Sequence, residues 1–393
     1  MTLTPQVRGY KSRMVMWFEE TFNNEPETPA GVVVPLNSES LRGNRSKESS
    51  ETLRGRRDAV RPFDDTLDVS GNMTVPVDAI GFGYWLKGMF GDPETTMDNV
   101  GSWEAEAAVA LGAVIKPAEQ NHYFECTTAG TTGDTAPTWS SEAGQTVTDG
   151  TVTWTDLGTE YAVVYKHEFK VGDVQPSMGL ERRYSAPGSV LAYARYGGVK
   201  VSTLTLGARA SGELTAEVGL IGASESFEET EYDSAPTEET FRRFQQFQAA
   251  IKEADTAISG TITEMDMSLN MGLEDDAYTV GDQGVRGDIP EGLINLEGSI
   301  NALFRNTSKA LLDKALAGTE TSLELTFAID ETASLSFKFP ELELARQAPT
   351  VEGPRGVRIT LPWVAYFDDA AEDSSVVVTL KNGKESYATP GGE

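Results

Sequence analysis

Along most of this chain apolar and polar residues alternate one for one, the period of a strand that buries one face and wets the other. Met14–Phe22 (MVMWFEETF) starts as such a strand and turns polar, and Asp68–Val77 sets Val69, Met73, Val75 and Val77 on related faces. The pattern returns in Tyr161–Val171, Pro176–Tyr184, Ser189–Tyr196 and Gly198–Leu206 (GVKVSTLTL). Glu213–Ile221 (ELTAEVGLI) is a natural neighbour for Gly198–Leu206. In the last third it recurs in ITEMDMSLNM, Ser322–Ile329, Ala333–Phe339, Gly356–Ala365 and Val376–Leu380. A mainly β chain is expected.

Three stretches carry helical spacing instead. After Val77, Asp78 can cap an apolar helix bearing Ile80, Phe82, Tyr84, Trp85, Leu86, Met89 and Phe90, which Gly91-Asp92-Pro93 ends. So little of its circumference is polar that it must be covered on several sides, which calls for a subunit partner. A fainter copy lies at Gly292–Gly318, displaced by a constant 227 residues (298 − 71, 318 − 91). Gly71, Lys87 and Gly91 recur there as Gly298, Lys314 and Gly318; Asn306 or Thr307 serves as cap, and Leu311, Leu312 and Leu316 form the apolar stripe. The third stretch, 238–254, spaces Phe241, Phe244, Phe247, Ala250 and Ile251 for a helix with Glu238 and Glu239 in its first turn. It reads as a connecting helix. The fold class is therefore mainly β (α+β), with two tandem β-sandwich or barrel units, each flanked by a helix.

Between them the texture changes. Residues 101–159 are rich in Thr, Gly and Ala, with short β-runs at Ala113–Lys116, Tyr123–Thr127 and Val152–Thr155 and turns such as Asp149-Gly150. This is a small all-β module inserted in a loop. Trp103, Trp139 and Trp154 could stack a sugar ring, but a module this small has little else to bury, which favours them as its core. The first unit then comprises 1–100 and 160–235, and the second 236–393.

Composition narrows the function. The 393 residues, 39% hydrophobic and 24% charged, suit a globular protein of two or more domains. No apolar run approaches the roughly 18 residues of a membrane helix, and the N-terminus lacks a signal peptide's apolar core. The single Cys126 excludes an internal disulfide framework and fits folding in a reducing cytoplasm. A net charge of −29 argues against tight nucleic-acid binding and fits either solubility or a surface along which DNA slides without sticking. Against that background Asn37–Val60 is basic: Arg42, Arg45, Lys47, Arg54, Arg56 and Arg57 mark a solvated loop or hairpin, or an arm that reaches an acidic neighbour.

Chemistry is sparse. The two histidines, His122 and His167, lack a partner at metal-ligand spacing, and no HExxH, P-loop, GxSxG or EF-hand pattern occurs. Gly81–Gly83 lacks the third glycine of a dinucleotide site. No catalytic, cofactor or metal residue is assigned.

The run LNSESLRGNRSKESSETLRGRRDAVRPFDDTLDVSGNMTVPVDAIGFGYWLKGMFGDPETT, with NSES-L before a long polar loop, then DVSGN-T-PVD, resembles major tail tube proteins of long, flexible-tailed (siphovirus-type) bacteriophages. YGGVKVSTLTLGARASGELTAEVGLIGASES resembles them too, so the likeness covers most of 37–97 and 161–226. The insert's YFECTTAGTTGDTAPTW…TVTDGTVTW is similar to modules grafted onto phage tail and tail-fibre proteins. The resemblance implies a virion protein made in the host cytoplasm, β-sandwiches stacked in rings around a DNA channel, and the insert outside. Two units per chain imply trimers with pseudo-six-fold symmetry. The same resemblance implies a tape measure protein inside, with terminator and distal tail proteins at the ends. It makes the basic stretch an inter-ring arm, and Tyr84, Trp85, Met89, Phe90, Leu311, Leu312 and Leu316 a ring interface. The competing readings are a carbohydrate-binding surface protein acting through the insert, and another ring-forming tail or secretion-tube component.

Overall fold

In a computed structural model, residues 5–258, 260–351, 353–369 and 372–387 are described. The first unit opens with β1 (Arg13–Phe18), β2 (Val32–Val34), β3 (Ser38–Glu39), β4 (Arg42–Glu48) and β5 (Phe63–Pro76). Helix α1 (Phe82–Phe90) and β6 (Glu94–Met97) follow. The insert holds β7 (Ala108–Val109), β8 (Val114–Ile115), β9 (Tyr123–Thr128), β10 (Gly130–Thr131), β11 (Thr146–Asp149) and β12 (Val152–Gly158). Next come β13 (Tyr165–Lys170), β14 (Met178–Ala186), β15 (Ser189–Arg209), β16 (Thr215–Gly222), β17 (Ser224–Glu228) and β18 (Thr237–Glu238). The second unit has β19 (Ala249–Glu253), β20 (Thr256–Ala257), β21 (Ile262–Asn270), β22 (Asn295–Leu303) and α2 (Asn306–Ala317), then β23 (Thr321–Asp330), β24 (Ala333–Leu344), β25 (Arg358–Tyr366) and β26 (Val377–Asn382).

The two units share one antiparallel sheet. Its order is β3/β4, β5, β16, β15, β21, β22, β25, β24, and the join is β15 against β21, with Leu206 opposite Met267. Each half backs onto an outer layer: β2, β1, β14, the start of β15 and β17 in the first, and β19, β23, β24, β26, β13 and β6 in the second. One continuous apolar core fills both sandwiches, running from Met14 and Val69 to Trp363 and Leu380.

The pairing exposes a repeat that extends past the helices. Leu180 opposes Tyr196 and Leu323 opposes Phe339; Val201 opposes Leu220 and Leu344 opposes Trp363. Each residue lies 143 before its counterpart (323 − 180, 339 − 196, 344 − 201, 363 − 220). So β14, β15 and β16 correspond to β23, β24 and β25, as β5 and α1 correspond to β22 and α2. The first unit carries extra chain between helix and next strand, namely β6, the insert and β13.

The three identities of the repeat have separate physical causes. A Cβ on Gly71 would sit 2.6 Å from the Leu41 backbone, and one on Gly298 would land on the Asp266 carbonyl and the Trp363 ring. Gly91 and Gly318 end their helices at φ of 90° and 62°, which an L side chain resists. Lys87 and Lys314 sit in the last turns, where the helix dipole favours cations. Lys87 Nζ donates to the Tyr387 carbonyl (2.8 Å) and pairs with Asp92 (2.8 Å), while Lys314 pairs with Glu253.

Three expectations change. The connecting helix 238–254 does not form: this stretch holds the end of β18, one 3-10 turn at Gln246–Gln248, and β19, whose Ile251 opposes Leu325. Of the evenly spaced phenylalanines only Phe244 is buried, and Phe247 is 71% exposed. The backbone bonds the exit of β5 instead, Phe244 N–H to the Val77 carbonyl (3.0 Å) and Ala79 N–H to the Arg242 carbonyl (2.8 Å). Open sheet partners outweigh helical spacing here. At α2 neither Asn306 nor Thr307 is the cap residue; the helix starts behind Arg305, whose N–H donates to Ser308 Oγ (2.8 Å). Finally β6 and β13, assigned above to the first unit, extend the second unit's outer layer through β26. The polar end of the chain, 388–393, lies outside the described residues.

Gly298→Ala is expected to lower stability by about 1–3 kcal/mol through overpacking, read from the urea midpoint. Gly356→Ala, where a Cβ meets open space, is the neutral control.

Candidate functional site

The shared sheet presents one face to the core and the other to solvent. On β16, for example, Ala216, Val218 and Leu220 are buried while Thr215 and Glu217 point out. Alternation carries this across all strands, so the outer face is built from Ser, Thr, Asn and acids. Its carboxylates are Asp68, Glu217, Glu264, Asp266, Glu297, Glu341 and Glu343; its arginines are Arg42, Arg209 and Arg358. Asn72 donates to Glu217 (2.7 Å), and Arg209 spans Glu264 (2.6 Å) and Asp266 (3.1 Å). Burial, with the neighbouring Glu264 charge, raises the Asp266 carboxyl above its usual range. These acids were indistinguishable from any others in so acidic a sequence; only the pairing register assembles them.

The loop after β21, residues 271–294, closes the join between the units. Lys200 on β15 is buried and donates to the Ile289 carbonyl (2.9 Å) and Glu291 (2.7 Å). Burial works against the Glu291 charge, but Lys200 and the Gln175 N–H outweigh it and hold the carboxyl below its usual range. Arg286 donates to the Val69 (3.3 Å) and Gly222 (2.8 Å) carbonyls and pairs with Asp68 (2.5 Å). A lysine in GVKV and an arginine in a polar loop gave no sequence signal for this role.

The residues singled out from sequence fall in three places. Arg42, Arg45 and Lys47 lie on β4, and Arg54, Arg56 and Arg57 on the exposed β4–β5 loop. Lys47 pairs with Asp64, and Arg45 donates to the Gln283 carbonyl (3.0 Å). Tyr84, Trp85, Met89 and Phe90 are all buried within the chain itself: α1 packs on β13 and β15, and Tyr84 donates to Glu239 (2.7 Å). On α2, Leu311 and Leu312 are buried and Leu316 is half exposed. In the insert Trp154 is fully buried, with Trp103 and Trp139 packed against the same cluster. Asp149 accepts from both Trp103 (2.8 Å) and Trp154 (3.2 Å), tying the indoles inward.

Both histidines are held structurally. His122 Nδ1 meets both Asp156 oxygens (2.8 and 2.9 Å). His167 Nε2 faces two acceptors, Asn382 Oδ1 (3.2 Å) and the Lys384 carbonyl (3.0 Å), so it carries the proton, and Nδ1 accepts from Thr95 (2.9 Å). Among the described residues no group of acids, histidines and cysteines is arranged to hold a metal.

A protein-family model described as phage tail tube protein matches residues 9–365, most of the chain. No curated protein matches it.

Burial holds the His167 imidazole below its ordinary value of 6.5, despite Asn382 and the Lys384 carbonyl. The folded state binds this proton less readily than the unfolded one. The stability it supports is complete above the unfolded pKa and falls as acid protonates the unfolded chain first. His167→Gln should flatten the loss of urea midpoint between about pH 7.5 and 5; a slope equal to wild type would exclude this role.

Proposed function

The chain belongs to the phage tail tube protein family, and on that premise we propose that three copies close each ring of a hollow tail tube whose acidic lining lets DNA pass. Membership makes it a structural component of the virion tail that assembles with other tail subunits. The observation that carries the finer reading is the shared sheet: eight strands whose two halves repeat each other side by side, with a polar, acidic outer face.

A repeat that adds a second unit laterally can add a third by the same step, and closure then removes the exposed sheet edges. Three chains supply six units and twenty-four strands. At about 4.8 Å between strands the circumference is at least about 115 Å, and the strand-backbone diameter at least about 37 Å. Side chains narrow this, yet the opening passes a nucleic-acid duplex. Six such chains would double it with no evident use. Acid on the lining repels a duplex carrying about one charge per 1.7 Å, within a Debye length of about 8 Å at physiological salt. A tape measure protein would occupy the lumen before ejection, with terminator and distal tail proteins at the two ends.

Negative-stain images of the purified chain should show annular particles with a central hole, stacking into filaments at higher concentration. A monodisperse monomer at every salt concentration would sink the reading. Glu217→Lys with Glu297→Lys should make assembled particles retain duplex DNA at about 0.15 M salt and release it at higher salt. Retention no greater than wild type would show that this face does not line the channel.

A further inference from the structure

Inside one chain the join between units has two parts: the ladder of β15 with β21, and the loop 271–294 crossing over Lys200. The repeat places a second, unfilled copy of both at the far ends of the sheet. A shift of 143 from Thr203–Ala208 reaches Arg346–Val351, which among the described residues pair with no strand. Ala208 is buried, whereas Val351 is 77% exposed. On the other side Met267 opposes Gly298, and Leu41 stands against Gly71, so Glu39–Asn44 correspond to Met265–Asn270. Among the described residues β3 and β4 pair with no strand but β5, so strand pairing on their outer edge is unfilled, the Leu41 carbonyl between them accepting from the Tyr196 hydroxyl (3.0 Å).

Charge tells the two joins apart. The counterpart of buried Lys200 is Glu343, exposed, with Glu341 on the same face. Burial raises the Glu341 carboxyl, and Asp368, Glu320 and Asp369 push the same way. The counterpart of loop 271–294, which brings Glu291 to Lys200, is the β4–β5 loop with Arg54, Arg56 and Arg57. Both signs are reversed. An open cleft lined by Leu293, Leu296, Ala365, Tyr366 and Phe367 lies at the counterpart of the Arg286 seat, where Leu296 and Ala365 match Val69 and Gly222.

We propose that the ring closes at this seam: Arg346–Val351 of one copy run antiparallel to Glu39–Asn44 of the next, with Ala348 opposite Arg42. The loop 49–62 of that next copy lies across Glu341 and Glu343. The partner is a second copy of this chain in the same ring, which replaces the inter-ring role expected for the arm; the seam rests on the ring reading above. Opposed residues of an antiparallel pair have Cα atoms about 4.5–5.5 Å apart, within disulfide reach.

The test is disulfide trapping in the full-length chain, whose native Cys126 is buried. Particles of Ala348→Cys with Arg42→Cys should oxidise to covalent dimers and trimers, with no larger ladder. Ala348→Cys with Asn44→Cys, two residues out of register, should give less than about a tenth of that product. Annular particles that form without cross-links in the first variant overturn the seam and leave the ring standing; a wild type that forms no annular particles overturns both. For the arm, Glu341→Lys with Glu343→Lys should raise the concentration needed for rings by about tenfold or more. Adding Arg54→Glu, Arg56→Glu and Arg57→Glu should restore it. If the lysine variant still closes rings and loses only their stacking, the arm serves a neighbouring ring and this part is wrong.

Discussion

The ladder between β15 and β21 is the constraint from which the rest of the architecture follows. β15 is 21 residues long and works in two layers. Its first part pairs with β14 and β17 in the outer sheet, and its last part with β16 and β21 in the inner one. The change of layer falls at Gly197-Gly198, where Gly198 adopts φ of 61° and the Gly197 carbonyl accepts the Ala223 N–H (3.0 Å). A strand that serves two layers cannot shift register without moving Leu204, Leu206 and Ala208 out of the core, so the units hold a fixed relation. β24 does the same for the second unit, but past Ala345, whose N–H donates to the Pro362 carbonyl (2.7 Å), its extension pairs with no strand among the described residues.

The two helices show the same asymmetry. All nine residues of α1 are buried, because β13, Tyr387 and the second unit's outer layer close over it. In α2 only Ser308, Leu311, Leu312 and Ala315 are buried. An apolar circumference did demand cover on several sides, but that cover comes from the same chain, since β13, β15 and Tyr387 lie against the helix. The exposed side of α2 carries Asn306, Lys309 and Asp313.

Much of this was legible because strand alternation and terminal glycines leave local marks. Asp68–Val77 and Glu213–Ile221 could be read as strands, and Gly71 with Gly298 survived as identities because a Cβ has no room at either. The offset of 227 could not be extended past the helices, since β6, the insert and β13 reset it to 143. Phe241, Phe244 and Phe247 misled because helical spacing records only side chains, whereas Val77 and Ala79 offered that stretch backbone partners. The acidic face was illegible for a different reason: pairing register, not any local motif, decides which of 61 acids share a surface.

In the proposed ring, a chain of two like units would meet a problem of specificity that a single-unit ring does not. Two joins of the same geometry would allow the wrong ends to meet, first unit to first unit or a chain to itself. In the proposed ring, keeping the strand ladder while reversing the charges would separate them: Lys200 pairs with Glu291 inside the chain, and Glu341 and Glu343 would face the arginine-bearing loop of the next copy. A like-signed mismatch at a desolvated seam costs several kcal/mol, far more than an exposed ion pair contributes when correct. At the proposed seam the reversed charges would therefore act mainly by exclusion. They would make first and second units alternate around the proposed ring, and three chains of two units each would then fill the positions that six single-unit chains would otherwise take.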